Sequence, residues 1–134
     1  MSAELVIKVA IADDHKIFRD GIKMALKNKD YLKIIWEAED GRDLVHKMLL
    51  KKPDVLLMDI RMPEVDGINA IGILRKEYEE VKIIVLTMYD DQEMISKMME
   101  MGANAYLTKT TDPEEIYQAI LACMNDDFYF NDLV

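Results

Sequence analysis

The chain has 134 residues, a length typical of one domain that buries about two thirds of the surface of its unfolded form. Hydrophobic residues make up 51% and charged residues 32% of the sequence, a composition that excludes an intrinsically disordered chain. The formal net charge is −9, and no cluster of lysine and arginine is present that could neutralise phosphates. We therefore expect no nucleic-acid binding by this segment.

The N-terminal residues and the cysteine count indicate in which cellular compartment the protein is found. Residues 1–5 carry an acid where a signal peptide carries basic residues, and no apolar run approaches the roughly 20 residues that span a bilayer. Cys123 is the only cysteine, so no internal disulfide can form, and its apolar helical neighbours predict core packing. The sequence therefore predicts a cytoplasmic protein without a membrane segment.

The first half of the chain contains three strand patterns separated by two helix patterns. In chain order these are the strand Val6–Ala12, a helix with Phe18, Ile22, Ala25 and Leu26 on one face, the strand Leu32–Glu39, a helix with Leu44, Val45, Met48 and Leu49, and the strand Val55–Met58. The second strand alternates, with Ile34, Trp36 and Ala38 predicted on one face, which is typical of an edge strand.

The second half repeats this alternation. In chain order it predicts a helix around Ile68–Tyr78, the strand Lys82–Leu86, a methionine-rich helix around Asp91–Met101, the strand Ala105–Thr108, and a last helix that Thr111-Asp112-Pro113 opens. The whole pattern predicts an α/β fold, with a parallel five-stranded sheet covered on both faces and right-handed crossovers. We place the domain at residues 5–124 and interpret residues 125–134, which show no periodicity, as a tail or the start of a linker.

Polar residues stand directly after the predicted strands, where open parallel sheets bind their ligands. Asp13 and Asp14 follow the first strand, Asp59 the third, Thr87 the fourth and Lys109 the fifth. Three converging carboxylates repel one another unless a cation holds them ionised, and oxygen ligands without histidine or cysteine favour Mg²⁺ over Ca²⁺. Asp59 beside Mg²⁺ and Lys109 is a suitable phosphoryl acceptor, because both cations neutralise phosphoryl oxygens during in-line transfer.

These residues belong to motifs that resemble the receiver domains of two-component response regulators. The motifs are Asp13-Asp14-His15, Met58-Asp59-Ile60-Arg61-Met62-Pro63 with Asp66-Gly67, Leu86-Thr87, and Gly102-Ala103-Asn104-Ala105-Tyr106-Leu107-Thr108-Lys109. The resemblance runs from about residue 6 to residue 124, with the motifs in order at strand ends. It implies a flavodoxin-like, doubly wound three-layer sandwich with five helices and the sheet order 2-1-3-4-5.

The resemblance also implies roles for single residues in the chemistry. Asp59 accepts the phosphoryl group from a sensor histidine kinase or a phosphotransfer protein. Asp14 and Asp59 bind Mg²⁺ directly, Asp13 binds it through water, and the main-chain carbonyl of Arg61 completes the protein ligands. Lys109 pairs with the acceptor carboxylate first and with the phosphoryl group afterwards.

Further residues of the resemblance concern the response to phosphorylation. Thr87 moves toward the phosphoryl group, and Tyr106, the aromatic switch residue, turns inward. The side chains of Arg61 and Tyr89 lie over the phosphoryl group and restrict the access of water. Thr110 stands where most receivers have proline; a cis bond before it costs about 2.5–4 kcal/mol, compared with about 0.5–1 before proline, so the loop geometry stays open.

Simpler interpretations exist for several of these residues. Asp13 and Asp14, taken alone, are typical helix caps, His15 is interpreted as a solvent-facing residue without a role in the chemistry, and Tyr106 could pack on the surface of an edge strand. An aspartate-nucleophile phosphatase of the haloacid dehalogenase class is disfavoured, because that class has a second aspartate where this chain has Arg61. Nucleotide-binding enzymes are disfavoured since neither glycine-rich phosphate motif occurs.

The sequence therefore predicts a phosphorylation-dependent signalling switch and not an enzyme. Thr110 and the motifs around Asp13 and Thr87 resemble the branch whose receivers precede a LuxR-type helix-turn-helix domain, which implies transcription regulation through a domain outside this sequence. The expected partners are the histidine kinase or phosphotransfer protein and a second copy of the chain. A docking module that does not accept phosphate stays open as an alternative.

Overall fold

The structure is a computed structural model that describes residues 6–63, 65–88, 92–126 and 129–130. The strands of its main sheet are β1 (Ile7–Ala12), β2 (Leu32–Ala38), β3 (Val55–Met58), β4 (Lys82–Thr87), β5 (Ala105–Thr108) and β6 (Tyr129–Phe130). The helices are α1 (Lys16–Leu26), α2 (Gly41–Leu50), α3 (Gly67–Glu77), α4 (Gln92–Met101) and α5 (Pro113–Asp126). None of the helices in these ranges combines the length and the hydropathy needed to cross a membrane.

All strands of the main sheet run parallel, in the order β2-β1-β3-β4-β5-β6. The predicted order 2-1-3-4-5 is therefore confirmed for the five long strands. The sixth strand was not expected: Tyr129 and Phe130 pair with Ala105 and Tyr106 of β5. The prediction that β5 forms an edge is wrong for this reason, and α5 runs to Asp126, two residues beyond the predicted domain boundary.

Apolar side chains on the two faces of the sheet form two separate cores, which gives the predicted three layers. Leu56 and Met58 of β3 pack with the buried faces of α2, α3 and α4. Leu57, on the opposite face of the same strand, packs with the buried faces of α1 and α5. Cys123 belongs to this second core and is fully buried, as predicted. Alternation along β3 thus assigns its side chains to two helical layers.

One predicted alternation is wrong, in the edge strand β2. The register between β1 and β2 shifts after Val9: Val9 pairs with Ile34, whereas the next residue of β1 pairs with Trp36. Ile35 is the extra residue of this irregularity. Ile34 consequently packs in the core under α1 and α5, whereas Trp36 and Ala38 belong to the opposite core. A single inserted residue reverses the faces of the residues that follow it.

The short hairpin Arg61–Met62 with Val65–Asp66 connects β3 to α3. Gly67 begins α3 where the chain passes closely over Ile60: a Cβ atom built on Gly67 would lie 2.1 Å from the main-chain oxygen of Ile60. Only a residue without a side chain fits at this distance. Gly67 thereby holds the hairpin against the residue that follows Asp59 in the chain.

Candidate functional site

The buried ammonium group of Lys109 joins two of the predicted site residues. Its Nζ lies 2.6 Å from Asp13 Oδ2 and 2.9 Å from Asp59 Oδ2. The side chains of Lys109, Asp13 and Asp59 are only 7%, 2% and 4% exposed. Residues separated by up to 96 positions in the sequence therefore meet in one charged cluster, as predicted from the strand ends.

Backbone hydrogen bonds that continue past the strand ends position this cluster. The N–H of Asp13 donates to the carbonyl of Ala38 at 2.9 Å, and the N–H of Asp59 donates to the carbonyl of Ala12 at 2.9 Å. The N–H of Lys109 donates to the carbonyl of Thr87 at 2.8 Å. Each charged residue is thus anchored to the neighbouring strand, so its side chain starts from the rigid edge of the sheet.

Burial and the two neighbouring carboxylates shift the pKa of Lys109 in opposite directions. Burial lowers the pKa of Lys109, but the hydrogen bonds that its ammonium donates to Asp13 and Asp59 and the attraction of their charges outweigh burial, so the pKa of Lys109 lies above its ordinary value. The ammonium group is therefore fully charged at neutral pH and compensates part of the acidic charge of the cluster.

The carboxylates of the cluster form a group that could hold a metal ion. Asp13, Asp14, His15 and Asp59 each offer one ligand atom, and these four atoms lie within 4.8 Å of one another. Three carboxylates face one ammonium, so two negative charges stay uncompensated, which fits a divalent cation. Carboxylate oxygens are the donors that Mg²⁺ prefers, and a pocket lined by Asp14, Arg61 and Pro63 adjoins the group.

Arg61 contacts the site through its backbone. Its main-chain N–H donates to Asp59 Oδ1 at 3.0 Å, while its side chain is exposed. This bond orients the Asp59 carboxylate, whose other oxygen contacts Lys109. The role of the Arg61 carbonyl as a metal ligand stays a prediction. The predicted guard residue Tyr89 lies outside the described residues.

His15 takes part in the site, although it was predicted to be a solvent-facing residue without a role in the chemistry. Its main-chain N–H donates to Asp13 Oδ1 at 2.8 Å, and its Nδ1 lies 3.1 Å from Asp13 Oδ1 and 3.1 Å from Asp14 Oδ1. Lys109 Nζ lies 3.3 Å from the same Nδ1. The side chain is 65% exposed, so the predicted exposure is confirmed. The available signal was its position directly after two acids at the start of a helix.

Two residues of the first turns of α1 support the cluster and were also missed. Arg19 Nη1 donates to the carbonyl of Asp13 at 2.6 Å, and its Nε donates to Glu37 Oε1 at 2.9 Å. Lys109 Nζ lies 4.6 Å from the centre of the Phe18 ring. The helical spacing of Phe18 predicts a core residue, and periodicity contains no information about a lysine 91 positions later.

The predicted switch residues lie on one face of neighbouring strands. Thr87 ends β4 and is fully buried; two residues earlier, Val85 pairs with Tyr106 of β5. The Tyr106 ring is fully buried in the core under α2, α3 and α4. Surface packing of Tyr106 is therefore excluded, and its movement in response to Thr87 stays a prediction. The bond between Lys109 and Thr110 is trans.

Comparisons with known proteins agree with this geometry. The sequence profile described as the response regulator receiver domain matches residues 9–121. The transcriptional regulatory protein DegU of Brevibacillus brevis is 36% identical over 114 residues, which cover 85% of this chain and 48% of that protein. The chain spans about half the length of the curated relatives that it matches.

Two solved structures have the same fold. The isolated receiver domain of RcsB from Salmonella enterica serovar Typhimurium, in the presence of the phosphomimetic BeF₃⁻, superposes with a TM-score of 0.90 at 26% identity and covers 96% of each chain. The second is a structure of the Salmonella typhimurium RcsB response regulator, which is described in terms of conformational dynamism for DNA interaction. It superposes with a TM-score of 0.91 at 26% identity, over 97% of this chain and 65% of that one. This chain therefore belongs to the response regulator receiver domain family.

Proposed function

We propose that this receiver is a Mg²⁺-dependent phosphorylation switch that accepts a phosphoryl group on Asp59. The observation that carries the proposal is the placement of Lys109 Nζ between Asp13 and Asp59, beside the carboxylate of Asp14. In this arrangement the carboxylates of Asp13 and Asp14 lie next to Asp59 and could bind a metal ion there. The ammonium group of Lys109 already supplies a second positive charge to Asp59. Such a site suits phosphoryl transfer, in which electrostatic stabilisation and positioning provide most of the catalysis.

In the proposed reaction, Asp59 attacks the phosphorus atom of a phosphohistidine on the partner protein. A new bond forms between Asp59 and phosphorus, the bond from phosphorus to the imidazole nitrogen breaks, and the imidazole leaves with that electron pair. The metal, when held by Asp13, Asp14 and Asp59, supplies positive charge to the phosphoryl oxygens. Lys109 supplies further positive charge, and the N–H of Arg61 keeps the Asp59 carboxylate oriented.

We infer that the phosphoryl group is sensed by Thr87 and Tyr106. Thr87 ends the strand next to the acceptor strand, and its hydroxyl can donate a hydrogen bond to a phosphoryl oxygen. Tyr106 packs on the same face of the sheet as α4 and pairs with Val85, two residues before Thr87. A displacement of Thr87 would therefore act on the packing between β5 and α4.

The role of the whole protein is proposed from its similarity to two proteins. DegU is named a transcriptional regulatory protein, and the RcsB structure is described in terms of DNA interaction. We propose that a histidine kinase or phosphotransfer protein phosphorylates this receiver in the cytoplasm, and that phosphorylation controls transcription through a DNA-binding domain outside this sequence. A second copy of the chain is proposed as a further partner. The alternative is a receiver that docks on proteins without accepting phosphate.

Phosphorylation assays distinguish these alternatives. Incubation with radiolabelled acetyl phosphate should label the protein in the presence of Mg²⁺ and not in the presence of EDTA. Asp59→Asn should abolish labelling. Asp54→Asn is the matched control, because Asp54 precedes the same strand at the opposite end of the sheet, where it accepts a hydrogen bond from the Lys8 N–H. Labelling of Asp59→Asn to the level of the parent would contradict the assignment, and a parent without label would favour the docking module.

A further inference from the structure

The ring of Phe18 lies against the ammonium group of Lys109, which contacts the two buried carboxylates of Asp13 and Asp59. Lys109 Nζ is 4.6 Å from the ring centre, within the range in which a cation is attracted by the face of an aromatic ring. Phe18 is partly buried and packs against the core under α1 and α5. The ring is therefore anchored on a helix, while the ammonium group comes from the loop after β5.

The surroundings of Lys109 make this contact informative. The ammonium group contacts Asp13 at 2.6 Å, Asp59 at 2.9 Å and the ring nitrogen of His15 at 3.3 Å. Its side chain is 7% exposed, so water surrounds only a small part of it. The Phe18 ring thus replaces water as a neighbour of the cation, and a cation–π interaction is stronger in a desolvated place than at an exposed one.

The contact also differs in kind from the three polar contacts. Asp13 and Asp59 attract the ammonium toward the acids, and Asp59 changes its charge and shape when it is phosphorylated. The Phe18 ring keeps its charge distribution throughout this reaction. Together with Asp13, which the transfer also leaves unchanged, the ring can hold Lys109 near Asp59 both before and after the transfer.

We propose that Phe18 is a positioning residue for Lys109, which holds the ammonium group over its ring and thereby sets the rate of phosphoryl transfer to Asp59. This inference rests on the proposed function. It assigns to the first helix a part in the reaction that is separate from its role in the core. The electron density of the ring face should matter, and not only the volume of the ring.

Replacement of Phe18 by mono-, di- and trifluorinated phenylalanine, inserted at this single position, tests the proposal. Fluorine withdraws electron density from the ring face and changes the shape of the side chain very little. The rate constant for labelling by acetyl phosphate at saturating Mg²⁺ should fall stepwise with each fluorine, by about 5- to 10-fold in total. The free energy of unfolding in urea should fall only slightly, because the buried volume is retained and only the electron density of the ring face changes.

The matched control uses another cation–π contact in the described part of the chain. Lys29 Nζ lies 4.7 Å from the centre of the Tyr117 ring, away from the acidic cluster. The same fluorinated residues at position 117 should leave the labelling rate unchanged. Phe18→Leu, which keeps an apolar side chain without a ring, should be slowed at least as much as the trifluorinated variant.

Equal labelling rates across the fluorine series at position 18 would overturn the proposal and would leave Phe18 as a core residue. The NMR signal of the Lys109 Nζ gives a second readout that needs no phosphorylation. It should shift progressively with the number of fluorines, and a constant signal would also overturn the proposal. If the parent protein accepts no phosphate while this signal still shifts, the proposed function fails and the contact between Phe18 and Lys109 stands.

Discussion

Single residues at the carboxyl edge of the sheet fix the orientation of the Asp59 carboxylate, which we propose to be the phosphoryl acceptor. Asp59 is held from two sides, by the N–H of Arg61 at one oxygen and by Lys109 at the other. The chain then turns back through the hairpin, and Gly67 closes this turn against Ile60. The backbone after Asp59 therefore depends on a position that has no room for a side chain.

Gly67→Ala should destabilise the protein, since the added methyl group would meet main-chain atoms of Ile60 at 2.1–2.6 Å. We expect the free energy of unfolding in urea to fall by about 2–3 kcal/mol, and labelling of Asp59 to become slower because the loop must move. Gly21→Ala is the matched control, because nothing lies within 4 Å of a Cβ atom at this helical position. That variant should be more stable by about 0.5–1 kcal/mol. A stable, rapidly labelled Gly67→Ala protein would refute the steric argument.

Glu37 makes the stability of the protein dependent on pH. Burial raises its pKa, but hydrogen bonds from Lys23 and Arg19 outweigh burial, so the pKa of Glu37 lies below its ordinary value. A carboxylate with a lowered folded-state pKa stabilises the fold above its unfolded-state pKa, and this contribution is lost as the pH falls through the folded-state pKa. Arg19 connects this pair to the carbonyl of Asp13, so the interaction also supports the site.

Glu37→Gln should lower the free energy of unfolding by about 1 kcal/mol at pH 7, measured by urea denaturation. The difference from the parent should decrease as the pH is lowered below about 4, because the parent then also carries an uncharged side chain. Glu39→Gln, an exposed position just after the same strand, is the control and should show no such pH dependence. A difference that stays constant down to acid pH would show that the charge of Glu37 is not involved.

At the scale of elements, Arg75 of α3 connects the ends of two helices to the sheet. Its guanidinium donates to the carbonyls of Gly102, at 3.1 and 2.8 Å, and of Val81, at 2.7 Å. It also donates to Asn104 Oδ1 at 2.6 Å, and the same oxygen accepts the N–H of Ile83 at 2.9 Å. Arg75 thus supplies hydrogen-bond donors to carbonyl groups in the turn between α4 and β5 and in the segment that leads into β4.

Arg75→Met should lower the free energy of unfolding by about 2–3 kcal/mol, since it removes the donor for several partly buried carbonyl groups while keeping an extended side chain. Arg75→Lys should restore only part of this loss, because an ammonium group cannot serve acceptors in so many directions. The neighbouring exposed residue gives the control, and Lys76→Met should change stability by less than about 0.5 kcal/mol. Equal stability of the variants at positions 75 and 76 would exclude the proposed anchoring.

The predicted elements agree with the structure wherever a hydrophobic period continues without interruption. The five long strands, the five helices and the sheet order follow from such periods and from the receiver motifs. The face of Ile34 could not be predicted, because the irregularity at Ile35 depends on pairing with β1 and not on composition. The pairing of Tyr129 and Phe130 with β5 was also missed, since two residues are too few to form a period.

The same distinction applies to the site. Asp13, Asp59 and Lys109 were predictable because strand ends of a parallel sheet meet at one edge. Phe18 and Arg19 were not, since their contacts with the cluster depend on the orientation of α1 against the sheet. Long-range contacts made by side chains of a helix leave no signal in local periodicity.

At the scale of the whole molecule, binding of Mg²⁺ to the acidic cluster should stabilise the fold. A ligand that binds the folded state alone stabilises it by about 2.7 kcal/mol at a concentration of 100 times its Kd. For a chain of this length we expect the Tm in thermal denaturation to rise by about 8 °C between EDTA and saturating Mg²⁺. Asp14→Asn should lose most of this rise. An identical Tm of the parent in EDTA and in Mg²⁺ would contradict the proposed metal site.

The short strand β6 has a consequence for association between molecules. A free strand edge is a template on which another chain can add its own strand, and proteins protect such edges with charges, irregularities or a covering segment. In the described part of this sheet, β6 covers the β5 edge where the ladder begins, at Ala105 and Tyr106. The opposite edge, β2, contains the irregularity at Ile35 and the exposed charge of Lys33. Among the described residues, a strand added by a second molecule, as in amyloid growth, would therefore meet a two-residue strand at one edge of this sheet and an irregular, charged strand at the other.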